Sequence, residues 1–503
     1  MKNPDLKKIF GALFFLAVFC LPLKALAGPW MDVGDAQLRH HVQVLADAGI
    51  INVPVTTWPL MWSGVSEDIR IWQEADNSVP GNSSLSKLQQ HSLAYVQRAF
   101  HEQGKNSVSQ LSVGVRDNIN IQSHFGNSQR EEQLYQFSTE QMGEWLAFRL
   151  QAGYVNDATD EKDYRLDGSY LAGLWGNWQL SVGAVDRWWG PGWHSSMILS
   201  NSARPVPGLS LQRNYSDAFS LPLLKWLGPW QLVLFGGQLE SDRVISEARL
   251  VGVRLSIKPF GSLEIGLSRT AQWGGQGRPE SLAGFYDLLA GNDNGDKGIT
   301  EDANPGNQLG GVDFRLAYPF FGQSLAVYGQ IIGEDEADYA PSKRIVMAGV
   351  ESAFEIAHVQ SRIYVEYADS IANGYNGNPL YNLAYEHGVY KSGYRYRGRP
   401  LGFALDNDSR ELSLAVYHYF ANGGVFNWSA SKIKLNLDNN NNFPGGHVWT
   451  LARQDFWLGD IKYEHPFNNL TLSFGMQYFT DNTLSPNDEF EGAQVYSRLV
   501  YSL

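Results

Sequence analysis

The residues best suited to recognition chemistry form one run, Asp186-Arg187-Trp188-Trp189-Gly190-Pro191-Gly192-Trp193. An indole face stacks on the apolar face of a sugar ring, while a carboxylate and a guanidinium accept from and donate to its hydroxyls. The Gly-Pro-Gly break follows an expected strand at 178–185, so the aromatic groups fall where the ladder ends. Asp186, Arg187, Trp188, Trp189 and Trp193 are therefore candidate sugar-binding residues. A membrane-interface belt or a packed loop base is the competing reading.

A second cluster joins Arg269 to Gln272-Trp273-Gly274-Gly275-Gln276-Gly277-Arg278-Pro279. Its three glycines permit tight folding, and Arg278 brings a rigid fork of donors. Arg269, Gln272, Trp273 and Arg278 are candidates for glycan contact, with a plug or loop base as the alternative. No strand-helix unit or phosphate-loop Lys-Ser/Thr accompanies these glycines, so nucleotide binding is not indicated. Glu334-Asp335-Glu336 offers acids for glycoside hydrolysis, but neighbours on one loop do not flank a scissile bond, and a solvated charge cluster is expected. Asp293, Asn294, Asp296, Glu301 and Asp302 leave a calcium site open without the EF-hand order. His40-His41 has no matching ligand set nearby, no Ser-His-Asp context is signalled, and no cofactor is expected. Trp226-Leu227-Gly228-Pro229-Trp230 reads as an aromatic belt leading into a strand at 231–236.

The elements that must carry these groups change period along the chain. Asp35 caps an expected helix with Leu38, Val42 and Leu45 on one face and Gly49 as its stop. Ser66-Glu67-Asp68 starts a possible short helix, and Leu85, Leu88, Ser92, Val96 and Phe100 mark another, capped by Ser83 or Ser84. These make a small helical module at the end of whatever follows.

From about residue 106 the period is two. Leu111, Val113 and Val115 alternate with small or polar residues, as do Leu146 to Ala152, Val251 to Ile257, Leu263 to Leu267 and Ile363 to Tyr367. Leu412 to Val416, Ile433 to Leu437, Leu470 to Tyr478 and Val495 to Leu503 continue it. One face suits lipid and the other a lumen, and with no second run long enough for a membrane helix, only a closed barrel satisfies such a backbone in lipid. Polar connections are expected at 122–142, 156–168, 288–308, 334–344, 371–382, 388–410, 438–447 and 480–491, with short turns at Phe260-Gly261 and Tyr318-Pro319-Phe320. At roughly 20 residues per strand the length allows about 16 to 20 strands, an even number being favoured.

Residues 1–27 read as a secretory leader: Lys2, Lys7 and Lys8 precede the apolar Ile9–Leu23, and Ala25-Leu26-Ala27 gives small residues for cleavage. Phe19 is too bulky for lipoprotein processing at Cys20, the single cysteine, so disulfide and thiolate chemistry are excluded from the mature chain. Loss of Lys2, Lys7, Lys8, Lys24 and Asp5 takes the formal charge from -13 to -16, which disfavours nucleic acid as a partner. The 16 Trp, 24 Tyr and 25 Phe beside 18% charged residues suit a barrel, but also soluble sandwiches and propellers. The expected division is 1–27 leader, 28–104 helical module and 105–503 barrel.

With these motifs in order, the chain resembles the capsule assembly proteins called Wzi. The resemblance rests on Thr57-Trp58-Pro59-Leu60, Arg187 to Gly192, Trp226 to Trp230, Arg269 to Gly275, Gly277-Arg278-Pro279, Pro305 to Gly311, Tyr328-Gly329-Gln330 and Gly333 to Glu336. It implies an all-β, 18-stranded antiparallel outer-membrane barrel with a periplasmic helical bundle and a lumen blocked by loops. It further implies a non-enzymatic, lectin-like role at the cell surface, with capsular polysaccharide as partner and lipid, lipopolysaccharide and the capsule export machinery as neighbours. The loops at 371–410 and 438–447 look individual to this chain, and no residue of a sugar site carries over. A diffusion porin and an outer-membrane glycan hydrolase remain the alternatives.

Overall fold

The computed structural model describes residues 29–77, 85–104, 107–127, 129–281, 286, 306–320, 323–337, 340–374, 377–440, 446–480 and 492–503. Three helices come first: α1 (Ala36–Asp47), α2 (Trp62–Asn77) and α3 (Lys87–Gln103). Asp35 caps α1 as expected, its carboxylate accepting from the Leu38 N–H at 2.8 Å. Two boundaries differ from expectation. Helix α2 begins at Trp62 rather than near Ser66, and α3 is capped by Ser86, whose hydroxyl accepts from the Gln89 N–H while the Gln89 side chain accepts from the Ser86 N–H. Ser83 and Ser84 lie outside the described residues.

The remaining chain forms antiparallel strands β1 (Ser107–Arg116), β2 (Gln133–Met142), β3 (Leu146–Asn156), β4 (Tyr170–Trp175), β5 (Trp178–Gly183) and β6 (Gly208–Arg213). It continues with β7 (Trp230–Gln238), β8 (Arg249–Phe260), β9 (Leu263–Trp273), β10 (Gly306–Phe320), β11 (Gln323–Ala337) and β12 (Ala340–Ile356). The last six are β13 (Val359–Asn373), β14 (Arg410–Tyr419), β15 (Val425–Leu435), β16 (Gln454–Phe467), β17 (Leu470–Phe479) and β18 (Gly492–Ser502). These eighteen strands make a closed barrel, in which β18 pairs back onto β1 with Tyr501 opposite Leu111. Closure leaves no unpaired edge, as lipid requires.

Alternation sorts the two faces. On β17, Phe474, Met476 and Tyr478 are exposed outward, whereas Ser473 and Gln477 are buried in the lumen. The same outward band contains Leu111, Val113, Leu180, Leu209, Leu267, Phe314, Val327, Val350, Val365 and Leu499. So extensive an apolar surface requires lipid rather than water around it. No helix among the described residues is long and apolar enough to cross a membrane.

The ends of the barrel differ. Short turns such as 261–262, 357–358 and 468–469 lie at one end, and the long connections 184–207 and 374–409 lie at the other. Trp145, Trp175, Trp226, Phe260 and Tyr318 are exposed near the short turns, as an interfacial belt requires. The helices sit at this same end, where Arg315 of β10 donates to Asp47 at 2.9 Å and His91 of α3 meets Glu355 of β12.

Four sequence expectations are corrected. The interval 122–142 is not all loop: β2 occupies 133–142, its inward Gln136 and outward Tyr135 and Phe137 alternating despite an overall polar composition. The 334–344 interval is mostly strand, belonging to the β11–β12 hairpin, and Tyr318 to Phe320 belong to β10. Ile433 and Leu435 face the lumen rather than lipid and are fully buried, because inward-folded loops supply an apolar core there while Lys432 and Lys434 take the outer face.

Candidate functional site

The Asp186–Trp193 run turns inward and pairs with the N-terminal segment. Trp188 lies opposite Trp58 and Trp189 opposite Thr57 in a short antiparallel ladder. The turn beyond it needs glycine: Gly190 has a φ of 143°, and a Cβ on Gly192 would meet the Ser195 carbonyl oxygen at 2.2 Å. Trp188 Nε1 donates to the Gly192 carbonyl at 2.9 Å, and Arg39 of α1 donates to the Pro191 carbonyl at 2.7 Å. Helix and loop therefore meet inside the barrel rather than at its rim.

Trp193 is the centre of this contact. Its Nε1 donates to Glu351 of β12 at 2.6 Å, while Arg39 and Arg362 of β13 stand 4.3 and 4.7 Å from its ring. The next turn wraps a carboxylate: the backbone N–H groups of Trp193, His194 and Ser195 all donate to Glu366 of β13, and Tyr328 adds its hydroxyl at 3.0 Å. His194 Nε2 lies 3.1 Å from Glu411 of β14. Burial pulls the His194 pKa down, but the surrounding carboxylates, Glu411 first and then Glu366 and Asp460, together outweigh it and the net shift is upward.

This geometry corrects the reading of the tryptophans as open sugar platforms. Trp188, Trp189 and Trp193 are 0%, 0% and 1% exposed, and protein groups occupy their ring faces. Asp186 pairs with Arg130 at 2.6 Å, and Arg187 stacks over Phe235 at 3.8 Å, its pKa lowered to about 10 chiefly by burial. All five candidate residues of the run build a latch in the lumen.

The barrel wall holds the other half of the latch through buried charges. Glu264 of β9 accepts from the Val55 N–H at 2.8 Å and the Thr56 N–H at 2.9 Å. Arg254 of β8 makes a two-pronged pair with Asp313 of β10 at 2.6 and 2.9 Å, and also donates to the Thr57 hydroxyl at 2.7 Å. Gln212 of β6 donates to the Pro59 carbonyl, and Lys258 of β8 to the Ile51 carbonyl. Sequence reading missed these positions. Their signal is charge on the inner face of an apolar-alternating strand, as at Arg254 with Lys258, Asp313 with Arg315, Glu351 with Glu355 and Arg362 with Glu366.

The second predicted cluster is divided between faces. Gln272 is buried on the inner face, donating to the Gly393 carbonyl at 3.0 Å and accepting from Asn307 at 3.0 Å. Arg269 and Trp273 lie on the outer face of β9, where Arg269 donates to Gln308 at 2.7 Å. Arg278 reaches Tyr390 at the long-loop rim. Gln272 and Arg278 thus both meet the 374–409 loop.

That loop is a second inward-folded plug. Tyr385 donates its hydroxyl to the Met197 carbonyl at 2.7 Å and Tyr394 donates to the Ile198 carbonyl at 3.0 Å, joining it to the tryptophan latch. Arg395 lies between Glu386 and Asp406. Glu334, a member of the supposed acidic cluster, is buried and accepts from the Tyr385 N–H at 2.6 Å, so it anchors the plug; the Asp335 and Glu336 side chains lie outside the described residues. Asp293, Asn294, Asp296, Glu301 and Asp302 also fall outside them. No grouping suited to a metal ion occurs among the described residues. His40 and His41 are buried, His40 accepting from Arg362 and His41 sharing a hydrogen bond with Ser92.

The fold and its filled lumen define an outer-membrane β-barrel whose interior is occupied by its own loops and N-terminal segment. The chain belongs to the capsule assembly protein Wzi family, whose model matches residues 101–494. It is 32% identical over 349 residues to an uncharacterised 55.8 kDa protein in the cps region of Klebsiella pneumoniae. That match covers 68% of this chain and 65% of the relative, so it spans just under two thirds of that protein's length. Among solved structures it is similar to Wzi of Escherichia coli, an outer membrane protein involved in group 1 capsule assembly and a carbohydrate-binding β-barrel. The TM-score is 0.79 at 26% identity, covering 93% of this chain and 98% of that one.

Proposed function

We propose that this protein binds exported capsular polysaccharide at the cell surface and helps attach or organise the capsule, without catalysis. The observation that carries this reading is the occupied lumen: the tryptophan latch and the 374–409 plug meet between opposite walls of the barrel. A surface binder works with such an interior, whereas a diffusion porin needs an open one. Glycoside hydrolysis needs two carboxyls flanking an accessible bond, but Glu351 and Glu366 are buried beneath Trp193 and Glu334 holds the plug.

Polymer contact then falls to the long-loop rim. Of the predicted set, Trp273 and Arg278 stand toward that end with partial exposure, and the same end carries exposed Tyr164, Tyr381 and Lys391. Asp186, Arg187, Trp188, Trp189, Trp193 and Gln272 act by fixing the loops in shape. Many weak contacts along a repeating polymer add up to firm retention. The short-turn end faces the periplasm, as in other barrels of this class, which places the helices within reach of export machinery and the wall among lipid and lipopolysaccharide.

Removing the protein from an encapsulated cell tests the role. Total polymer is expected to persist while the attached fraction falls; an unchanged ratio of attached to free polymer counts against it.

A further inference from the structure

The outer wall carries its cations unevenly. Arg410 of β14 lies opposite Lys434 of β15, and one row nearer the apolar band Leu412 lies opposite Lys432. All three cations share the lipid-facing side of their strands and are partly exposed, at 40%, 37% and 30% of the side chain. Immediately beside them, exposed Leu412, Trp457 and Tyr367 mark the edge of the band, and the Lys432 ammonium lies 5.5 Å from the Trp457 ring centre. Two acids answer the three cations: Asp455 meets Lys432 and Lys434, and Asp369 meets Arg410 at 2.9 Å. The patch keeps a net positive charge at the level where a lipid headgroup begins.

The same end carries further outward-facing cations, Arg249 on β8, Arg269 on β9 and Arg344 on β12. At the short-turn end, Arg213 is the only arginine or lysine on the outer face of the described barrel strands, and its guanidinium is stacked 3.9 Å from the Trp230 ring. One rim of the wall is therefore cationic, and the other is aromatic.

We infer that Arg410, Lys432 and Lys434 bind a phosphate of the glycolipid, lipopolysaccharide, in the leaflet around the long-loop end. Three donors on adjacent strands suit a phosphate's oxygens; the partly exposed ion pairs of Lys432 and Lys434 with Asp455 are weak enough in water to rearrange around it, while Arg410 keeps its pair with the buried Asp369 and turns its remaining donors outward. Trp457 and Leu412 would pack against the acyl region just below. Such a contact would fix the depth of the barrel and hold the polymer-binding rim at the cell surface. The inference rests on the long-loop end facing outward.

The test uses the full chain in detergent micelles, titrated with diphosphoryl lipid A and with its dephosphorylated form, and read by native mass spectrometry. The phosphorylated lipid is expected to bind more tightly, and the triple variant Arg410→Gln, Lys432→Gln, Lys434→Gln to lose at least about tenfold of that affinity. The single variant Lys434→Gln is expected to show part of the loss, and heat-dependent gel mobility checks that both variants remain folded. Equal binding of the two lipids, an unchanged triple variant, or displacement by an equal concentration of inorganic phosphate would overturn the site. A chain that enters micelles yet shows no phosphate preference removes this site alone; a chain that stays in water removes the membrane reading with it.

Discussion

Trp188 lies directly opposite Trp58 in an antiparallel pairing between the β5–β6 connection and the N-terminal segment, and Phe125 packs edge-on to both rings. The pairing joins residues from two distant parts of the chain inside the barrel, so the plug and the helical module form one mechanical unit. Trp188→Ala removes a fully buried ring and is expected to cost about 3–5 kcal/mol locally. Protease protection of residues 29–104 should fall in this variant, while Trp226→Ala, at an exposed ring of the belt, should leave it unchanged.

The Arg254–Asp313 pair is buried and two-pronged, with 0% and 1% of the side chains exposed. Arg254→Met strands the Asp313 charge and is expected to destabilise by about 3–5 kcal/mol, whereas replacing both partners with apolar residues recovers much of the loss. The temperature of heat-modified gel migration reports both variants.

The 374–409 plug should tighten on mild acidification. Burial raises the Glu386 pKa from 4.5 to about 7 against the opposing pull of Arg395, and burial raises Asp408 from 3.8 to about 7. Folded pKa values above the unfolded ones mean that the folded plug holds more protons, so its stability is fully present below about 4 and is lost as pH rises through about 7. His447 opposes this in part: burial lowers its pKa from 6.5 to about 4, so its contribution is present above about 6.5 and is lost as pH falls through about 4, one group against two. Hydrogen exchange at Tyr385 to Tyr396 should slow between pH 8 and about 5.5 and should respond less in Glu386→Gln.

The barrel was legible wherever one strand face met lipid and the other a polar lumen, as at Phe474, Met476 and Tyr478 against Ser473 and Gln477. It was illegible where that contrast fails. Strand β2 carries Gln133, Gln136, Ser138, Thr139, Glu140 and Gln141, so its few outward rings do not stand out from a polar connection. Ile433 and Leu435 point to an apolar core made by loops, a surface that no local period announces. Asp35 revealed α1 because a cap acts within one turn of its own helix. The tryptophan run was found as a recognition motif, but its partners Trp58, Glu351 and Arg362 lie far off in sequence, and burial by them decides what its rings can touch.

Occupation of the lumen predicts low conductance. In planar bilayers the intact protein should give no large, stable channel, and shortening the 374–409 plug should raise conductance. Large steady currents from the intact chain would favour a diffusion porin instead.

Direct binding of native capsule by the purified, detergent-held protein tests the central proposal. Saturable retention of capsular polysaccharide, absent with unrelated polymers and reduced by Arg278→Ala without loss of folding, is the predicted result. Retention no greater for capsule than for an unrelated polymer would contradict it.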